Sequence, residues 1–75
     1  MNKVLYKSLV KYFEANIDRH RVNIILQTDK PVGVAEHSDH TETIEEELGK
    51  ISEYEDKLSV LKKYFGTDEK EVLNG

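Results

Sequence analysis

The stretch Glu36-His37-Ser38-Asp39-His40 gathers more chemistry than any other five residues of this chain. Imidazole and carboxylate groups ligate zinc and other transition metals. Glu36, His37 and His40 are therefore candidate metal ligands. The spacing is not that of the HExxH metalloproteases, whose histidines stand at i and i+4 with the glutamate between them. A plainer reading competes. Ser38 or Asp39 can N-cap a helix, with Asp39 and Glu42 at capping-box spacing, leaving both histidines half exposed. A cap needs neither Glu36 nor His37, so that pair also stands as a candidate partner contact. His20, the third histidine, reads as a buried polar residue that fixes register, or as a partner for Glu47 or Glu46.

A second candidate is a basic, aromatic end. If the chain folds as a hairpin, Lys3, Lys7 and Lys11 come near Lys57, Lys62 and Lys63, with Tyr6, Tyr12, Tyr64 and Phe65 among them. Lysines interleaved with aromatic rings hold phosphates and stack bases. Lys3, Lys7, Tyr12, Lys62 and Tyr64 are the candidates for an anionic small ligand such as a nucleotide. The competing reading is that these lysines serve solubility, and that Lys57, Lys62 and Lys63 answer the negative end of a helix dipole. Glu42, Glu45, Glu46 and Glu47 suit the positive end of the same helix. They could equally present an acidic face to a basic protein.

Catalysis has little support. There is no cysteine nucleophile, and Ser8, Ser38, Ser52 and Ser59 lack a recognisable elbow or lysine partner. The glycines form neither a GxGxxG fingerprint nor a P-loop. A slim hairpin offers no deep pocket in which paired glutamates could be desolvated. A non-enzymatic protein without a cofactor is expected.

The positioning elements are helices. Tyr6, Val10, Phe13, Ile17, His20 and Ile24 recur at alternating spacings of four and three, the pattern of a coiled-coil seam. The β-branched run in residues 21–28 has some strand character, but no second strand of that kind exists to pair with it, so a continued helix is preferred. Pro31 and Gly33 then break the pattern and define a loop at 29–38. Ile44, Leu48, Ile51, Tyr54, Leu58, Leu61 and Phe65 form a second stripe, and Gly66 reads as its stop. Thr67 can cap one further turn, or the tail can fray. The expected fold is all-α: an antiparallel hairpin of helices at about 3–28 and 39–65, with a short C-terminal turn, in a single domain of residues 1–75. The stripes pair Ile24 with Ile44, Ile17 with Ile51, Val10 with Leu58 and Tyr6 with Leu61 in one consistent register.

A hairpin of 75 residues without cysteine has few means of stabilising itself alone. Leu5, Leu9, Tyr12, Ile25, Val60 and Tyr64 lie beside the paired stripes and point to a second hairpin. A homodimeric four-helix bundle is the expected assembly, with Leu9, Ile25, Gly49 and Val60 as interface candidates. The net charge of −4 is unevenly laid out. Residues 1–30 carry six Lys/Arg against three acids, and 31–56 carry nine acids against Lys50 alone. Neither an export signal nor a run of roughly 20 apolar residues is seen, so a cytoplasmic protein away from membranes is expected.

The stretch DKPVGVAEHSDHTETIEEELGKISEYEDKLSVLKKYFG, residues 29–66, resembles small uncharacterised proteins of tailed bacteriophages, particularly T4-like ones. There a Pro-Val-Gly loop ending in Glu-His precedes an acidic helix that closes on Lys-Tyr-Phe. The resemblance implies an accessory phage protein acting in the host bacterial cytoplasm, with a host or phage protein as partner. It carries over no catalytic residue.

Gly49 sits inside the second helix at a cost of about 1 kcal/mol relative to alanine, which close approach of another helix would explain. Gly49→Leu should weaken assembly in sedimentation measurements. Unchanged assembly would remove Gly49 from the interface.

Overall fold

The chain folds as two helices packed in a hairpin, seen in a computed structural model that describes residues 1–29 and 37–74, the side chains of 37–39 and 67–74 excepted. α1 runs Lys3–Thr28 and α2 runs His37–Asn74. Among the described residues there is no strand.

α1 begins where Asn2 caps it. The Asn2 side-chain oxygen accepts from the Val4 amide at 2.8 Å and the Leu5 amide at 3.2 Å, satisfying two of the amides that every helix start leaves open. Neither glycine nor proline interrupts residues 3–28. The β-branched run at 21–28 is helical throughout. The end is set at Thr28, whose hydroxyl donates to the Ile25 carbonyl (2.9 Å). The Asp29 amide reaches the same carbonyl at 3.1 Å. The expected turn at Pro31 and Gly33 lies outside the described residues.

α2 departs from expectation at both ends. It is helical from His37, so Ser38 and Asp39 lie inside its first turn, past the N-cap position. At the other end it passes through Gly66 and Thr67 to Asn74. Gly66 therefore neither stops the helix nor precedes a separate turn capped by Thr67. It is buried, and a Cβ built on it would stand 3.2 Å from the Tyr6 hydroxyl oxygen. The glycine admits Tyr6. The longer helix also moves Lys57, Lys62 and Lys63 away from its C-terminus, beyond the last turn over which a helix dipole acts.

The hairpin is a thin rod, 58 × 16 × 16 Å. Its radius of gyration is 17.0 Å, where a compact domain of this length would have about 11 Å. Among the described side chains only Tyr6, Leu61 and His20 are buried. Val10, Phe13, Ile17, Ile24, Ile44, Ile51, Tyr54 and Leu58 hold the seam half-buried. Leu48 and Phe65, expected in the seam, are exposed at 52% and 41%. Glu47 is half-buried beside Leu48 because His20 binds it across the interface, which leaves Leu48 on the flank.

Gly66 and Tyr6 should be energetically coupled. Gly66→Ala gains helix propensity of about 1 kcal/mol but presses on the Tyr6 hydroxyl. In a Tyr6→Phe background that pressure is gone. Thermal unfolding should show a larger stabilisation by Gly66→Ala in Tyr6→Phe than in the native chain. Equal effects in both would mean that the contact does not exist.

Candidate functional site

The centre of the hairpin is polar. His20 Nδ1 donates to Glu47 Oε2 at 2.5 Å, from α1 to α2. Asn23 Nδ2 donates to the same oxygen at 3.2 Å. Arg19 Nη2 donates to His20 Nε2 at 3.2 Å, so the Nδ1–H tautomer satisfies both ring nitrogens. One turn nearer the loop, His40 Nδ1 donates to Gln27 Oε1 at 3.2 Å. Helix spacing places Asn23 and Gln27 on one edge of the α1 stripe, next to His20 and Ile24. They escaped the sequence reading, which followed apolar residues. The usable signal was the recurrence of polar residues at 20, 23 and 27, at seam spacing.

Tyr54 closes the network. Its ring stacks on His20 with centroids 6.0 Å apart and planes 18° apart. Phe13 lies at 6.1 Å and Tyr12 meets it edge-on at 6.4 Å. Lys57 Nζ sits 5.2 Å above the ring and pairs with Glu53 at 2.9 Å. The Glu53 hydrogen bond raises the Lys57 pKa above its ordinary value, and the Lys57 bond lowers that of Glu53. Lys57 is thus engaged on α2. The hydrogen bond from His20 holds the Glu47 carboxyl below the usual carboxylate range. Asn23 and the charge of Arg19 add to it against the opposing effect of burial.

The basic candidates divide between the two flanks. On one flank Tyr6, Lys7, Val10, Lys11, Glu14 and Lys62 line an open groove of about 310 Å³. This brings Lys7, Lys11 and Lys62 together with Tyr6. Lys3, Tyr12 and Tyr64 do not line it. Tyr12 packs on Tyr54, and Tyr64 lies under Lys63 Nζ at 5.3 Å. A second groove on the same flank, about 520 Å³, is lined by Glu14, Ile17, Asp18, Glu55 and Leu58.

Of the metal candidates, Glu36 and the His37 side chain lie outside the described residues, and His40 is bonded to Gln27. Among the described residues no cluster of three potential ligands could hold a metal ion. Of the interface candidates, Leu9 is half-buried, whereas Ile25, Val60 and Gly49 are exposed. A Cβ on Gly49 would meet nothing within 4 Å, so Gly49 makes no close packing contact inside the hairpin. Among the described residues no helix is long and apolar enough to cross a membrane. Comparison with family models, with curated proteins and with solved structures finds no match to this chain.

The lowered Glu47 pKa fixes the sign of a pH effect. The folded chain favours the ionised carboxylate, so Glu47 contributes stability above the ordinary carboxylate range. That contribution is lost as pH falls through its lowered folded value. Urea unfolding of the native chain and of Glu47→Gln should differ by about 1–2 kcal/mol near neutral pH, with the gap closing as the carboxylate is protonated in acid. A gap that stays constant with pH would contradict the assignment.

Proposed function

We propose that this chain is a non-enzymatic, self-associating helical hairpin that acts by binding a protein. It would be an accessory protein of phage type working in the bacterial cytoplasm. The observation that carries the reading is the surface the lone hairpin leaves open. It exposes 5806 Å², about 1,100 Å² more than a compact monomer of 8.7 kDa. Leu5, Tyr12, Ile25, Val60 and Tyr64 are among the large apolar residues in that surface. Large apolar side chains left open to solvent in this number are the material of an interaction surface. A second hairpin would complete a four-helix bundle. The acidic run of α2, Glu42, Glu45 and Glu46, stays exposed and is offered to a basic protein.

Sedimentation equilibrium should return at least twice the 8.7 kDa chain mass. Affinity capture from bacterial lysate should recover a protein with the native chain that Glu45→Lys/Glu46→Lys loses. A monomer, or identical recovery with both chains, would contradict the respective half of the proposal.

The groove between Tyr6 and Lys62 favours a second reading, capture of a small anion. The dipole does not account for Lys62, and neither Lys7, Lys11 nor Lys62 is paired among the described residues. A nucleotide that raises the melting temperature of the native chain but not of Lys7→Glu or Lys62→Glu would support it. A panel without effect would rule it out.

A further inference from the structure

The flank that carries both grooves has an ordered charge. On α1, Lys7, Lys11, Glu14 and Asp18 follow one another at spacings of four, three and four, which keeps them on one face. The open end of the flank is basic, with Lys62 of α2 beside Lys7 and Lys11. Its middle is acidic, with Glu55 beside Glu14 and Asp18. Val4 stands one turn before Lys7 and Val22 one turn after Asp18. They are exposed at 75% and 50%.

This order is self-complementary. Two-fold symmetry requires that if residue i meets residue j of the partner, then j meets i. Lys7 with Asp18 and Lys11 with Glu14 share a single midpoint, between Tyr12 and Phe13. An antiparallel copy of α1 laid on this face therefore sets each lysine against a carboxylate and no like charges together on that stripe. It also brings Val4 of each copy to within one residue of Val22 of the other, level with Arg21. The charges are little used among the described residues. Among the described residues Lys7, Lys11, Glu14, Lys62 and Glu55 form no ion pair. Asp18 meets only Arg21, at 3.3 Å in an exposed pair of the kind that is worth little. The area is also adequate. A standard interface removes about 800 Å² from each partner, less than the excess this chain exposes.

We propose that a second copy of this chain docks antiparallel on the Val4–Lys7–Lys11–Glu14–Asp18–Val22 face of α1, with its basic half against the acidic half of the first. The inference rests on the self-association proposed above and names its surface, its orientation and its pairing.

Charge reversal tests it. In sedimentation velocity at low salt, Lys7→Glu/Lys11→Glu and Glu14→Lys/Asp18→Lys should each self-associate at least about tenfold more weakly than the native chain. An equimolar mixture of the two should associate, because an all-acidic stripe then meets an all-basic one. The fourfold exchange, with all four changes in one chain, should regain self-association and thereby show that the substitutions are compatible with folding. Added salt should weaken the native complex. Self-association retained by both double variants would overturn this interface and leave self-association itself standing. So would a mixture and a fourfold exchange that both fail to associate. A native chain that sediments as a monomer would overturn both proposals.

Discussion

The hydrogen bond between His20 and Glu47 is the constraint on which the hairpin depends. Two amphipathic helices can slide past each other by a turn at modest cost when their contact is a stripe of half-buried aliphatic side chains. They cannot slide when a half-buried carboxylate must keep its donors. Removing Glu47 from His20 and Asn23 would leave a charge in the seam without partners, which costs more than the pair contributes when made. Tyr54 makes the same choice of register through ring contacts to His20, Phe13 and Tyr12. The polar network thus supplies the specificity that a thin apolar seam lacks, in the way that a polar residue at a core position sets the register of a coiled coil.

Specificity is not stability. The described residues contain three buried side chains, and none is fully buried. A rod 58 Å long and 16 Å across has little interior in which to place more. Folding this chain orders as much backbone as folding a compact domain of the same length, with less apolar burial to offset it. That imbalance leaves the lone hairpin thinly stabilised. The two flanks differ: one exposes Leu5, Tyr12 and Tyr64, and the other carries ordered charge over shallow grooves.

Much of this was legible in the residues. The seam from Tyr6 to Ile24, its partner stripe from Ile44 to Leu61, and His20 with Glu47 or Glu46 as its partner can be read from the residues; the structure selects Glu47. The misreadings have physical causes. Gly66 at the end of an apolar stripe has the composition of a C-cap, and only the three-dimensional approach of Tyr6 shows that it serves packing. Ser38 and Asp39 are good capping residues by type, but a helix that starts at His37 needs its cap earlier. Leu48 and Phe65 fit a seam by hydropathy. The displacement of Leu48 comes from Glu47, a residue that hydropathy assigns to the surface. Tyr12 and Tyr64, grouped with the lysines by sequence, fall outside the basic groove because a helix separates its faces over a few residues.

The most direct test of this account is the through-space proton spectrum of the full chain near neutral pH. It should show cross-peaks between the rings of His20 and Tyr54 and between those of Phe13 and Tyr54, all lost together in Glu47→Ala. Cross-peaks that survive unchanged in Glu47→Ala would show that the apolar stripes alone set the register. A native spectrum in which the His20 ring contacts only residues of its own helix would contradict the hairpin register itself.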